Sequence, residues 1–332
     1  MNTRSVQLKL GINGAFVTRR WEKPESMMRL TAETGYSVHE FCADVVDPFF
    51  MGPKSFLLEM AQEVKHYAQQ YDIEICDIYT GVATHRFHGF SHSRPEPGER
   101  MKQWLADCWE ICLAMGTDRW GGHVDAVPVE VMEEAAAYER AVRHIHQTWR
   151  ELAVVAREKG MGAIYVEQMY IPSEVPWTMQ QTEDLLIAVN REREGVPVYV
   201  TVDVGHMAGM CYGLTGEDLD YRAWLRRFAP WAEIIHLQQT TPNGSHHWPF
   251  TEAYNKRGHI RMEEVMEALE EGHRQAGNSP VSQVMAPVDH QFLILELVPG
   301  STTNEETLLR EMKESAEYLY QYIPREGMTL TV

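Results

Sequence analysis

Eight short apolar runs, set along the whole chain and separated by longer amphipathic stretches, constrain this sequence more than any other feature. The runs are Val6–Ile12, Ser37–Cys42, Ile73–Tyr79, Trp120–Val124, Gly162–Gln168, Val198–Val204, Glu233–Gln238 and Phe292–Val298. Between them apolar residues recur at helical spacing over Glu25–Glu33, Ser55–Gln70, Gly98–Met115, Val129–Lys159, Met179–Asn190, Tyr221–Phe228 and Met262–Ala276; Glu305–Gln321 follows the last run. Near-continuous apolar runs fit strands buried on both faces, and parallel strands of that kind need helical crossovers. Pro24 stands where a first-turn proline belongs, and Gly35 and Gly160 fall where helices should stop. No Pro/Gly/Ser linker divides the 332 residues. Residues 1–332 are therefore read as one domain, a (β/α)8 TIM barrel, which takes about 250 residues before insertions. A doubly wound open sheet would carry a phosphate-binding G-x-G-x-x-G turn after its first strand, and Gly-Ile-Asn-Gly-Ala-Phe does not match it.

Charge narrows the partners. With 30 Lys+Arg against 48 Asp+Glu, the formal charge is −18. Nucleic acid and anionic membrane surfaces are excluded as main partners, because both are bound through clustered cations. No stretch of about 18 uninterrupted apolar residues exists to span a bilayer. The N-terminal MNTRSVQLKLGING has neither the apolar core nor the cleavage site of a secretory signal, so a cytoplasmic location is expected. The five cysteines have no disulfide-like spacing; Cys108 and Cys112, four apart, read as a buried helix face rather than a metal clip.

A barrel of this kind carries its chemistry at the C-terminal ends of its strands. Four successive runs place polar residues there: Glu167 in the fifth, Asp203 in the sixth, Gln238 in the seventh and Glu296 in the eighth. Ionised carboxylates buried together are costly unless they are paired or bind a cation, and no Lys or Arg stands beside them in the strands. Glu167, Asp203, Gln238 and Glu296 are therefore expected to hold one divalent ion. Hard oxygen donors suit Mn²⁺ best, with Mg²⁺ or Co²⁺ as alternatives, over Zn²⁺. Such a centre acidifies a C–H next to a ketone by stabilising the enediolate, with Glu167 and Glu296 as the proton-transfer groups.

These strand ends, YVEQ, VDVGH and LILELV, with the GHI after the seventh run, resemble the xylose-isomerase-like TIM-barrel superfamily over essentially the whole chain. RRWEKPE and HLQQTTPNGSHHWPFTEAYNKRGHI are most similar to its sugar-phosphate isomerases and epimerases. The resemblance implies that Glu167, Asp203 and Glu296 bind metal, that Glu167 and Glu296 transfer protons, and that His206 contacts substrate oxygens. Where ketose epimerases place a metal-binding His on the seventh strand, this chain aligns Gln238.

Other residues carry both a functional and a plain reading. His123, beside two glycines, is either an acid or substrate contact or a core histidine. His85, His88 and His92 share a loop with no compact metal spacing and read as solvated. His247 and Trp248, with His246 and Phe250, could wall a sugar pocket, Asn243-Gly244 supplying the turn. Arg257, with Lys256, is the basic candidate for a substrate phosphate, with plain surface charge as its other reading.

The leading expectation is a metal-dependent isomerase or epimerase of a keto-sugar or sugar phosphate, assembled as a homo-oligomer. The alternative is the catalytic subunit of a C-glycoside deglycosidase, a carbon–carbon lyase on 3-oxo-C-glucosides paired with a small β-rich subunit. A zinc-dependent DNA-repair endonuclease of the superfamily is disfavoured by the charge of −18 and by the absence of an Asp-x-His pair after the seventh run.

Overall fold

The structure is a computed structural model describing residues 4–80 and 84–332. Each predicted run forms a strand: β1 (Ser5–Asn13), β2 (Val38–Cys42), β3 (Glu74–Tyr79), β4 (Arg119–Gly121), β5 (Ala163–Glu167), β6 (Val198–Asp203) and β7 (Ile234–Leu237). A short hairpin follows, β8 (Gln239–Thr241) with β9 (Gly244–Trp248), and the eighth barrel strand is β10 (His290–Leu295). Neighbours pair in parallel around the ring, and β1 closes it on β10 from Gln7↔His290 to Ile12↔Leu295. A last strand, β11 (Met328–Thr331), runs antiparallel on β1.

Helices α1 (Pro24–Glu33), α2 (Lys54–Gln70), α3 (Pro95–Met115), α4 (Val129–Met132), α5 (Ala135–Lys159), α6 (Met179–Asn190), α7 (Tyr221–Phe228), α8 (Glu252–Arg257), α9 (Met262–Gln275) and α10 (Glu305–Leu319) complete the chain. Pro24 opens α1; Gly35 (φ 107°) and Gly160 (φ 96°) close α1 and α5 in the left-handed region, where a side chain would be strained. The single helix expected over Val129–Lys159 is two, because Glu134 takes an extended backbone (φ −111°, ψ 109°) that breaks the ladder. The fourth strand stops at Gly121, since Gly122 turns at φ 128°. Cys108 and Cys112 are buried and free.

Strand parity builds the barrel interior. An apolar cluster fills its lower part with Val38, Cys76, Ala163, Tyr165, Ile234, Phe292 and Ile294, against which Tyr199 packs. Side chains two apart share a face of a strand. Stepping by two therefore leads from Val38 to Glu40, from Tyr165 to Glu167, from Tyr199 through Thr201 to Asp203, from Ile234 to His236 and from Ile294 to Glu296. A polar layer sits directly above an apolar one.

Candidate active site

Glu167, Asp203, His236 and Glu296 each bring one ligand atom into a group whose members all lie within 4.8 Å of one another. His236 is at its centre: Nδ1 is 3.3 Å from Glu167 Oε1, 3.2 Å from Glu296 Oε2 and 4.0 Å from Asp203 Oδ2. Its other nitrogen, Nε2, faces the two oxygens of Glu40 at 3.0 and 3.1 Å. Glu40 also accepts from Asn13 Nδ2, whose amide is oriented because Asn13 Oδ1 takes the Ala15 N–H at 2.7 Å. Glu40, Asp203 and His236 are completely buried, and Tyr79 covers the imidazole edge-on at 4.6 Å.

Gln238, expected as the fourth ligand, has another task. Its Oε1 accepts the His247 backbone N–H at 2.7 Å, which fixes the amide so that Nε2 points at Asp203, 2.9 and 3.0 Å from the two carboxylate oxygens. An amide nitrogen with its proton on a carboxylate offers no lone pair to a cation. His236, two residues earlier on the same inward face, takes the place that the sequence reading gave to Gln238. Asp203 also accepts the Gly205 N–H at 2.6 Å, and His206 lies 3.5 Å from it while its Nδ1 meets the Gln168 carbonyl at 2.8 Å.

Electrostatics follow from this crowding. Burial alone would raise Glu167 and Glu296, but His236, with His206 beside Glu167 and His247 beside Glu296, outweighs it and holds both below the usual carboxylate range. For Asp203 burial prevails and lifts the group to about 6. Burial would lower His236 and His247, yet the surrounding carboxylates raise His236 well above its ordinary value and His247 to about 9. The carboxylates thus favour a positive charge at His236 Nδ1, a proton or an ion in its place. Glu296 Oε2 is buried without a well-aligned hydrogen bond among the described residues, although His236 and His247 are both 3.2 Å away. Three carboxylates and one imidazole around a single point are a fitting set for a divalent ion.

Above the cluster opens a pocket of about 270 Å³, lined by Glu167, Glu296, His206, His247 and His123 together with His85, Arg86 and Tyr170. His123 Nε2 faces the Asp125 carbonyl at 3.2 Å, so that nitrogen carries the proton and Nδ1 keeps its lone pair, without a hydrogen-bond partner among the described residues. Burial lowers His123, which makes it a neutral acceptor suited to a substrate hydroxyl rather than the catalytic acid considered from the sequence. Trp248 and Arg257, expected to bind substrate, do not line the pocket. Trp248 stacks on His246 at 4.2 Å and carries the Arg257 guanidinium 4.6 Å above its ring, an outward cation–π stack. Lys256 pairs with Glu252. The three loop histidines diverge: His85 binds Glu174 at 2.6 Å, His88 the Ala126 carbonyl, and His92 the Arg94 backbone. Four residues escaped the sequence reading: His236, Glu40, Glu174 and Arg86. A charged or imidazole residue inside an apolar run marks the first two; nothing in the sequence marks the others.

A family model described as a xylose isomerase-like TIM barrel matches residues 28–273. D-erythrulose 1-phosphate 3-epimerase of Brucella abortus is 22% identical over 270 residues, covering 80% of this chain and 84% of that protein. A Rhodospirillum rubrum protein provisionally called a xylose isomerase superposes with a TM-score of 0.81 at 22% identity, over 96% of this chain and all of the other. D-psicose 3-epimerase of Clostridium cellulolyticum, solved with D-tagatose, gives 0.63 at 18% identity, over 93% and 97%. At these identities the structural likeness speaks for the fold.

Proposed function

We propose, on the premise that the chain belongs to the xylose isomerase-like TIM barrel family, that it is a divalent-metal-dependent epimerase or isomerase of a ketose or ketose phosphate. The observation that carries this reading is the convergence of Glu167, Asp203, His236 and Glu296 within 4.8 Å at the floor of the mouth pocket. These four residues would hold the ion, which when bound supplies Lewis-acid polarisation of a ketone oxygen and so acidifies the neighbouring C–H. Glu167, an ionised carboxylate at the pocket floor, takes the proton from that carbon. Glu296, reaching the pocket from another strand, must first take up a proton from solvent, which it gives to the opposite face of that carbon and so inverts the centre. Glu167 is left protonated and Glu296 ionised, and exchange with solvent resets the pair, while the same pair working in the reverse sense gives the reverse reaction. Glu40 holds His236 by Nε2, and Gln238 with the Gly205 N–H holds Asp203, so the floor is fixed before substrate arrives. His206 and His123 offer contacts to substrate hydroxyls. The relative whose name specifies D-erythrulose 1-phosphate supports a short ketose phosphate, and a pocket of about 270 Å³ suits a small sugar.

The test is incubation with four- to six-carbon ketoses and their phosphates, with Mn²⁺ or with a chelator, followed by chromatography of the epimers. A new epimer that forms only with the ion is the expected result. A second reading, cleavage of a 3-oxo-C-glucoside, draws support from an apolar cleft of about 220 Å³ lined by Phe49, Phe50, Phe87, Met101 and Trp104. It lies across the Thr84–His88 segment from the pocket. Release of an aromatic aglycone with no epimer formed would favour that reading and reject the first.

A further inference from the structure

Building on the ketose reading above, we propose that Arg86 and His85 form an anion subsite at the pocket mouth, which takes a phosphate carried at the end of the substrate remote from the reacting carbons. Both side chains line the pocket, and Arg86 is the one Lys or Arg among the described residues that do so. Among the described residues no carboxylate lies within ion-pair distance of Arg86. Among those residues its guanidinium is thus not held by an acidic side chain, as those of Arg119, Arg222 and Arg227 are. A planar guanidinium matches two phosphate oxygens at once, which an ammonium does not.

The segment that carries the pair is anchored. Thr84 Oγ1 donates to the His123 carbonyl at 2.8 Å and is 2.7 Å from Thr80 Oγ1, tying the turn to the ends of β4 and β3. Just beyond it, the Gly89 and Ser91 N–H groups and the Ser91 hydroxyl all bind Asp125. His85 is in turn held by Glu174 at 2.6 Å. Glu174 is buried, and its second oxygen has no hydrogen-bond partner among the described residues. A buried carboxylate with so little other support favours a protonated His85. Burial would lower the His85 pKa, but the bond and charge of Glu174 raise it overall.

Position completes the case. The subsite stands on the loop after β3, and in a ring of eight strands the third lies across from the seventh, which brings His236. A ketose whose carbonyl end rests on the carboxylate cluster directs its far end toward β3. Arg257, the basic residue singled out from the sequence, points away in its stack with Trp248.

Two measurements on the intact protein test this. Inorganic phosphate, titrated calorimetrically, should bind at least about tenfold more weakly to Arg86→Gln than to wild type, the scale of one lost charge-assisted contact. The ratio of kcat/KM for a ketose phosphate to kcat/KM for the same ketose without phosphate should fall at least about tenfold in Arg86→Gln. It should fall less in His85→Asn and stay unchanged in Arg257→Gln. Equal phosphate affinity in wild type and Arg86→Gln, or an unchanged ratio, overturns the subsite. If no ketose is turned over, the epimerase reading fails by itself, and the phosphate titration still decides for or against Arg86.

Discussion

Glu40 shows how much of this site depends on residues that do not touch the pocket. It is fully buried, and its cost is met by His236 Nε2 and Asn13. Accepting the proton from Nε2 leaves Nδ1 of His236 free to serve as a donor to an ion, as carboxylates beside ligating histidines do. Glu40→Gln keeps the shape and removes the charge. It should weaken Mn²⁺ binding about 10–100-fold by competition with a chelating dye, while the circular dichroism spectrum stays unchanged. Unaltered affinity would mean that His236 needs no such partner. The carboxylates at the strand ends were legible in the sequence, because a charge closing an apolar run has few structural uses. Glu40 and His236 were not, because attention to the last residue of each run passes over the layer beneath it. The inward step of two from Val38 and Ile234 would have found both. Arg86 was hidden for a different reason: a loop basic residue has no periodicity to betray which way it faces.

The elements themselves were legible wherever an apolar run is long enough to be buried on both sides. Exceptions are short or half-exposed: the β8–β9 hairpin, α8 and β11 bury too little to imprint a pattern, although Asn243-Gly244 did mark the hairpin turn. Packing between elements carries a pH signature in the contact of α9 with β10. His273 Nε2 bonds Gln291 Oε1 at 2.8 Å, and because Gln291 Nε2 donates to the Ala229 and Ala232 carbonyls, the imidazole must be the donor. Its Nδ1 then faces Arg4, so a second proton there meets a guanidinium. Burial first, and Arg4 with it, lowers His273 to about 4. The unfolded chain, with a histidine near about 6.5, binds the proton more readily between those values. Stability attributable to His273 is therefore full above about pH 6.5 and lost as pH falls toward about 4, on the order of 3 kcal/mol. Urea unfolding at steps from pH 8 to 4 should show a shallower acid loss in His273→Met than in wild type. Parallel curves would remove His273 from the account.

At the scale of the whole molecule, the closed barrel brings strand ends separated by more than a hundred residues to one floor, which is why four scattered residues can act as a single centre. The ring of parallel strands could be foreseen from the eight runs, whereas the depth of the polar layer could not, since it depends on how each strand is staggered against its neighbours. If the centre binds an ion only in the folded chain, Mn²⁺ should stabilise the fold by about 2.7 kcal/mol at a hundredfold excess over its Kd, with one ion per chain by elemental analysis. A thermal midpoint indifferent to both Mn²⁺ and EDTA would contradict a structural role for the ion in this floor. The most direct test of the central claim, that Glu167 and Glu296 move a proton at the carbon beside a ketone, is exchange in D₂O followed by proton NMR. With Mn²⁺ removed by a brief chelation step before each spectrum, the signal of that C–H in a ketose phosphate should disappear at a single carbon. The exchange rate should drop by about 10²–10⁴-fold in Glu167→Gln and in Glu296→Gln. Retention of every C–H signal under conditions where the substrate is bound, or exchange that persists at the wild-type rate in both variants, would contradict it.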